Sequence, residues 1–262
     1  MSAVVVKLGG HTLDDLGPDS PVLIDLAGDL AELKAGGNDV VLVHGGGPQI
    51  AGLLAARGLQ SSFVDGLRVT DDETMECVSM ALGYVNQKVC AALSRRGLPV
   101  VGLSGADSQL LLSSPLGAAW GRAGSSPEVG SQVLGTVLSA GLVPVVSPVA
   151  VDSRGELLNC NADTAAGAIA AALGAELILL SDVDQIRSVP DDPSTGLADV
   201  DVAQVEAMVT SGAIRDGMRP KVQAALDALG AGAPTVQLAN GTKPHALRDA
   251  RANRVATTKV HP

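Results

Sequence analysis

The chain has 262 residues, a formal net charge of −10 and only three aromatic residues, Phe63, Tyr84 and Trp120. That length, with 46% apolar residues, suffices for a large α/β core in one domain or two lobes. The acidic balance, the lack of any Lys/Arg cluster and the near absence of stacking aromatics exclude nonspecific binding to nucleic acid or to an anionic membrane.

Strand and helix patterns alternate from the start. Ala3 to Leu8 reads as a buried strand that ends at Gly9 and Gly10, and Pro21 to Ala35 as an amphipathic helix ending at Gly36. Asp39 to His44 is a second strand, which stops at Gly45, Gly46 and Gly47, and Pro48 to Arg57 is a helix closed by Gly58. Asp71 to Arg95 is long and helical, and Pro99 to Leu103 is again a strand. Continuous β-branched strands between helices predict a mostly parallel sheet covered on both faces. "LVPVVSPVAVD" reads as one strand, turning at Ser153-Arg154-Gly155 into the return strand "ELLNCNAD". Asp163 to Leu173 is an Ala-rich helix with Asn161 and Asp163 as capping candidates, closed by Gly174. "AELILLSDV" returns to a buried strand and an acidic loop. Short helices follow over Val202 to Ser211 and Lys221 to Leu229, and "TVQLAN" is a late strand.

Cys77, Cys90 and Cys160 form no CxxC pair, as expected for a reducing compartment. No signal-peptide pattern precedes the first strand, and no apolar run reaches the roughly 18 residues of a membrane span, so a cytoplasmic protein is expected. There is no GxxxxGK[ST], and "HGGGPQI" fails GxGxxG at its last glycine, which removes the P-loop and dinucleotide fingerprints. His11, His44, His245 and His261 are too scattered to suggest a metal site.

What remains is a distributed set. Lys7 stands at the C-terminal end of a strand, where open α/β sheets bind ligands. The glycines after the first two strands allow close backbone approach and offer N–H groups to oxyanions, and the helix N-termini beyond them favour negative charge. Arg68, Asp163 and Lys221 are further candidates, each of which alone also fits a solvated charge or a helix cap.

Taken in order, "VVVKLGG", "VLVHGGGPQI", "GLRVTDDETM", "VVGLSGADS", "VPVVSPVAVD", "LLNCNADTAAGAIAAALGAELILLSDV" and "DGMRPKVQAALDAL" resemble the amino acid kinase family nearly end to end. "GLRVTDDETM" and the N-x-N-A-D segment resemble the acetylglutamate kinases within it. The resemblance implies an open αβα sandwich with a mostly parallel central sheet. Residues 1–174 would form an amino-acid-binding and dimerisation lobe, and residues 175–262 an ATP-binding lobe. It implies transfer of the ATP γ-phosphoryl to the γ-carboxylate of N-acetyl-L-glutamate, with Mg²⁺ arriving on the ATP and held mainly by its phosphates. Lys7 and Lys221 would flank the transferring group, and Asp163 would hold both lysines. Gly45, Gly46, Arg68 and Asn159 would bind the acceptor. Gly9, Gly10, Ser181, Asp182, Val183, Asp184, Ile214 and Gly217 would bind ATP, and backbone N–H groups of Gly10, Gly45 and Gly46 would bind oxyanions.

Three features depart from the family pattern. Ala106 and Ser108 replace a lysine and a glycine, Gln185 stands where a glycine is usual, and little chain precedes Lys7. Where the backbone there needs φ > 0, Gln185 predicts either strain of about 1 kcal/mol or a rebuilt loop. The last feature leads to the expectation of a homodimer insensitive to arginine. Two other readings stay open at this level: a kinase acting on an aminoadipate or glutamate carried by an acidic protein, and an inactive nucleotide or amino-acid sensor.

Overall fold

The computed structural model describes residues 2–215 and 217–262. Eight strands build the central sheet: β1 (Ala3–Leu8), β2 (Asp39–His44), β3 (Val100–Ser104), β4 (Val143–Ser147), β5 (Glu176–Ser181), β6 (Asp199–Asp201), β7 (Val236–Asn240) and β8 (Thr257–His261). Their spatial order is β6-β8-β7-β5-β1-β2-β4-β3. The strands from β7 to β3 in that order run parallel, and β8 lies antiparallel to β7, with β6 parallel to β8 at the edge.

The strand period of two explains why the central strands read as unbroken apolar runs. Val4, Val6, Leu8, Val40 and Leu42 enter one core, and Val5, Val41 and Val43 enter the other. Helices α1 (Pro21–Ala35), α2 (Gly47–Ala56), α3 (Asp72–Ser94), α4 (Ser131–Ser139), α5 (Ala162–Leu173), α6 (Val202–Thr210), α7 (Met218–Gly230) and α8 (Ala246–Arg251) complete the chain. The core that Val4, Val6 and Leu8 enter packs one face of the sheet against α1, α3 and α8; the core that Val5, Val41 and Val43 enter packs the opposite face against α5, α6 and α7. Each fully buried Leu or Val in these layers contributes about 1.5–3 kcal/mol of transfer free energy. α5 and α7 approach closely because α5 is rich in Ala and Gly; a Cβ on Gly167 would sit 3.1 Å from that of Ala228.

Local chemistry sets the helix ends. Asp71 caps α3 by accepting the Thr74 N–H at 2.8 Å. Asn161 caps α5 by accepting the N–H groups of Asp163 and Thr164. Gly174 ends α5 in the left-handed conformation at φ 57°. The lobe boundary expected there coincides with this cap, yet the sheet runs through it, because β5 pairs with β1 along its length.

"LVPVVSPVAVD" is not one strand. Pro148 has no N–H to continue the ladder; Val143–Ser147 stays in the central sheet, and Val149–Val151 joins a second sheet of short strands. Asp152 closes the expected turn by accepting the Arg154 and Glu156 N–H groups on Oδ1. The second sheet also contains strands at Leu111–Leu112, Pro115–Gly117, Gly121–Gly124, Glu128–Val129 and Leu157–Asn159. Sequence reasoning assigned no element to residues 105–141, nor to α8 and β8. A separate hairpin, Phe63–Val64 with Leu67–Arg68, turns at Asp65 (φ 51°) and Gly66 (φ 78°).

Asn161→Ala leaves two N–H groups of α5 without their cap. It is expected to lower stability by about 1 kcal/mol, read as a lower denaturant midpoint at unchanged slope.

Candidate active site

The sheet order places three loop exits side by side. β5 ends in Ser181–Asp184, β1 in Gly9–Gly10 and β2 in Gly45–Gly47, and β1 lies between the other two. Lys7, registered against Leu179 on β5 and Val43 on β2, is the only charged residue of β1 and is 5% exposed. Its Nζ lies 2.6 Å from Asp163 Oδ1. Asp163 sits in the first turn of α5, where the helix dipole favours a carboxylate. The ammonium occupies the space over Gly9 that a Cβ would fill.

Lys221 lies in the first turn of α7. Its Nζ donates to the Gly217 carbonyl at 3.1 Å and stands 3.9 Å from Asp182 Oδ1. This corrects the expectation that Asp163 holds both lysines. Lys221 folds back onto the start of its own helix, beside the acidic loop after β5; among the described ion pairs, Asp163 holds Lys7 alone.

The glycines divide in role. The Gly9 N–H donates to Leu180 O at 3.0 Å and the Gly45 N–H to Leu8 O at 2.8 Å, each extending a ladder one residue past its strand. Gly45 is therefore not the oxyanion donor expected of it. The Gly46 N–H has no acceptor among the described residues, and Gly46 caps α2. Gly10 opens a short 3-10 turn, Gly10–Leu13.

A cavity of about 170 Å³ gathers all four residues expected to bind the acceptor, Gly45, Gly46, Arg68 and Asn159. Ile50 and Leu82 form its apolar wall. Arg68 is half-buried, stacks 4.8 Å over the Phe63 ring and donates to Ser61 Oγ. Burial lowers the pKa of its guanidinium, and no carboxylate pairs with it among the described residues. Asn159 Nδ2 donates to Thr70 Oγ1, which donates to the Arg68 carbonyl, so Asn159 and Arg68 are tied through Thr70. Trp120 braces the same hairpin: its indole N–H donates to the Val64 carbonyl at 3.3 Å, and its carbonyl accepts the Thr70 N–H at 3.1 Å. At the hairpin tip, a Cβ on Gly66 would stand 2.8 Å from Pro220 Cγ, one residue before Lys221.

A second cavity of about 270 Å³ is lined by Asp182, Val183, Asp184 and Ile214, together with Gln185, Arg187, Arg215 and Met218. Ser181 and Gly217 are not among its lining residues: Ser181 is buried, with Oγ accepting the Val183 N–H at 3.3 Å, and Gly217 caps α7. Asp216, in the same stretch, lies outside the described residues. Lys243 pairs with Asp184, and the hydrogen bond from Lys243 holds the Asp184 carboxyl below its usual range. Gln185 does not occupy the left-handed region, so it carries none of the strain that a glycine replacement could bring. Its Nε2 donates to Thr257 O at 2.9 Å, and its Oε1 fills the space over Gly196. Ser108 accepts the left-handed conformation a glycine would favour, at φ 51°, and lies with Ala106 outside both cavity walls.

Sequence reasoning missed Thr70, Arg187 and Lys243, and reached Arg215 only as part of the stretch before Lys221. Of the three, Thr70 carried a signal, since it stands inside "GLRVTDDETM". Among the described residues, no group of three or more His, Cys, Asp or Glu gathers as a metal cage.

The profile of the amino acid kinase family matches residues 2–240. The chain is 43% identical to the acetylglutamate kinase of Deinococcus radiodurans, over 98% of this chain and 100% of that one. It is 41% identical to the acetylglutamate kinase of Geobacillus kaustophilus, over 91% and 90%. Among solved structures, smu.665 from Streptococcus mutans superposes with a TM-score of 0.80 at 26% identity, over 91% of this chain and 94% of that one. Carbamate kinase from Giardia lamblia bound to AMP-PNP superposes at 0.71 and 18% identity, over 99% and 98%, a likeness of fold.

Gly9→Ala adds a Cβ into the space of the Lys7 ammonium without straining the backbone. Turnover is expected to fall about 10²-fold or more, as when a transition-state charge contact is lost, and the unfolding midpoint is expected to fall with it, because the displaced ammonium disturbs its buried pair with Asp163.

Proposed function

The chain belongs to the amino acid kinase family, and we propose that the two cavities are the acceptor and nucleotide sites of an acetylglutamate kinase, with Lys7 acting between them. The enzyme transfers the γ-phosphoryl of ATP to the γ-carboxylate of N-acetyl-L-glutamate, a step of arginine biosynthesis. The observation that carries the assignment of sites is the sheet order: the nucleotide-side exit after β5 and the acceptor-side exit after β2 flank the strand that carries Lys7.

Phosphoryl transfer asks a protein mainly for positioning and charge neutralisation. Arg68 receives the α-carboxylate of the acceptor, a task its planar fork suits. Its pairing with Phe63 and Ser61 orders the side chain beforehand. Asn159, held by Thr70, hydrogen-bonds the acetamido region. The nucleophile is a carboxylate, already ionised at neutral pH, so no general base is required. Lys7, oriented by Asp163, neutralises charge on the transferring group. Lys221 does the same from the nucleotide side, where the leaving oxygen develops charge. The Gly46 N–H and the N-terminus of α2 add a neutral anion cradle.

The cations and glycines fit a triphosphate, and the acidic side chains present are too dispersed to cage a metal by themselves. Magnesium would arrive on the triphosphate and be held mainly by its oxygens, with Asp182 the carboxylate beside Lys221, and it would supply charge neutralisation there. The homodimer and the two-lobe closure that keeps water from the γ-phosphate belong to the same reading. Among the described residues no helix is long and apolar enough to cross a membrane. No observation favours a carrier-bound acceptor or an inactive sensor.

The test is acyl-phosphate trapping. Protein, magnesium ATP and hydroxylamine are incubated in parallel with N-acetyl-L-glutamate, glutamate, aspartate and aminoadipate. Hydroxamate with N-acetyl-L-glutamate alone is expected; none from folded protein would sink the reading. Arg68→Ala is expected to raise the KM for the amino acid with a smaller change in kcat. A collapse of kcat at fixed KM would remove Arg68 from its role.

A further inference from the structure

His44 ends β2 and is 0% exposed, and the mechanism above makes no use of it. Burial drops its imidazole to about 4, so the ring is neutral near pH 7. A buried polar ring without partners would cost several kcal/mol; this one has two. Nε2 lies 3.1 Å from Asn86 Nδ2, and Nδ1 lies 2.8 Å from the Gly45 carbonyl. Asn86 Nδ2 also lies 2.8 Å from Val145 O, an atom that can only accept. Asn86 therefore donates one hydrogen to Val145 and the other to His44 Nε2. With Nε2 accepting, the ring proton sits on Nδ1 and is donated to Gly45 O. On its other side, Asn86 Oδ1 accepts the Cys90 thiol and overhangs Gly102, where a Cβ would overlap it.

Gly45 is thus held at both ends, its N–H by Leu8 O and its carbonyl by His44. In a trans peptide the next N–H points opposite to the carbonyl, and no peptide bond among the described residues is cis. The Gly46 N–H is therefore directed away from the buried ring, and Gly46 lines the acceptor cavity. That N–H has no acceptor among the described residues. We propose that His44 is a positioning residue: through the Gly45 carbonyl it aims the Gly46 N–H at the phosphoryl group in transfer. This role rests on the function proposed above.

The test uses three substitutions that share the loss of the ring. In His44→Asn the side-chain amide nitrogen reaches the position of Nδ1 and can still donate to Gly45 O. In His44→Gln the amide reaches toward Nε2 instead, and His44→Leu fills the space without a donor. The Asn variant is expected to keep kcat near that of the parent. The Gln and Leu variants are expected to lose about 10²-fold in kcat, the scale of one oxyanion donor, with both KM values nearly unchanged. A Leu variant with parental kcat overturns the proposal, as does a folded Asn variant that loses as much as Leu. If the variants fail to fold, ¹⁵N NMR of the parent protein decides: the Nδ1–H tautomer of His44 is expected, and the Nε2–H tautomer overturns it. Absence of hydroxamate from the parent would overturn the functional reading and this role together; parental activity with an unaffected Leu variant overturns this role alone.

Discussion

The ion pair of Lys7 and Asp163 is buried, and breaking either half would strand a charge at a cost of about 3–5 kcal/mol. The surrounding structure is arranged to make that pair possible. The strand that carries Lys7 is apolar elsewhere and central in the sheet, so its position is fixed by pairing on both sides. The helix that carries Asp163 starts where Asn161 caps it, which sets the carboxylate in the first turn. Gly9 then leaves room for the ammonium to curl over the end of its own strand. A cation held so firmly cannot drift to meet its ligand; the ligand has to come to it.

In the assignment of sites proposed above, the two sides are built differently. The acceptor side is a network of short polar links, Asn159 to Thr70 to Arg68, braced by Trp120 and roofed by Phe63. The nucleotide side is a set of opposed charges around an acidic loop, with Lys221 beside Asp182 and Lys243 beside Asp184. The first fixes geometry for one small molecule. The second presents exchangeable ion pairs that a polyphosphate can enter, because its oxygens can take over a lysine from a half-exposed carboxylate.

Much of the fold was legible because buried parallel strands read as unbroken apolar runs. β1, β2 and α1 were read with the bounds observed, since Gly or Pro punctuates each. Pro148 was the informative failure: the apolar run continued through it, but the ladder could not, and the chain changed sheets. The short strands between Leu111 and Val129 carry too few apolar residues for a period to show. In the site, the residues of the acceptor cavity were legible as motif letters, yet their partners were not. That Lys221 would turn to Asp182 depends on where α7 begins and where the β5 exit lies, a tertiary fact. Gln185 looked like a strained glycine replacement and is instead an ordered link to β8. His44 stands inside "VLVHGGGPQI", yet its part was not legible there, because it depends on a hydrogen bond to Asn86, far along the chain, that fixes which ring nitrogen donates to the adjacent Gly45 carbonyl.

The tip of the acceptor hairpin meets the helix of Lys221 where Gly66 touches Pro220. Gly66 is doubly constrained, by its left-handed backbone and by the proline ring above it. Positions 66 and 220 therefore share a single volume, and neither can drift alone over evolutionary time. In an alignment of related chains, a side chain at one should be accompanied by a smaller residue at the other, which makes this pair a heritable record of how closely the two halves of the site approach.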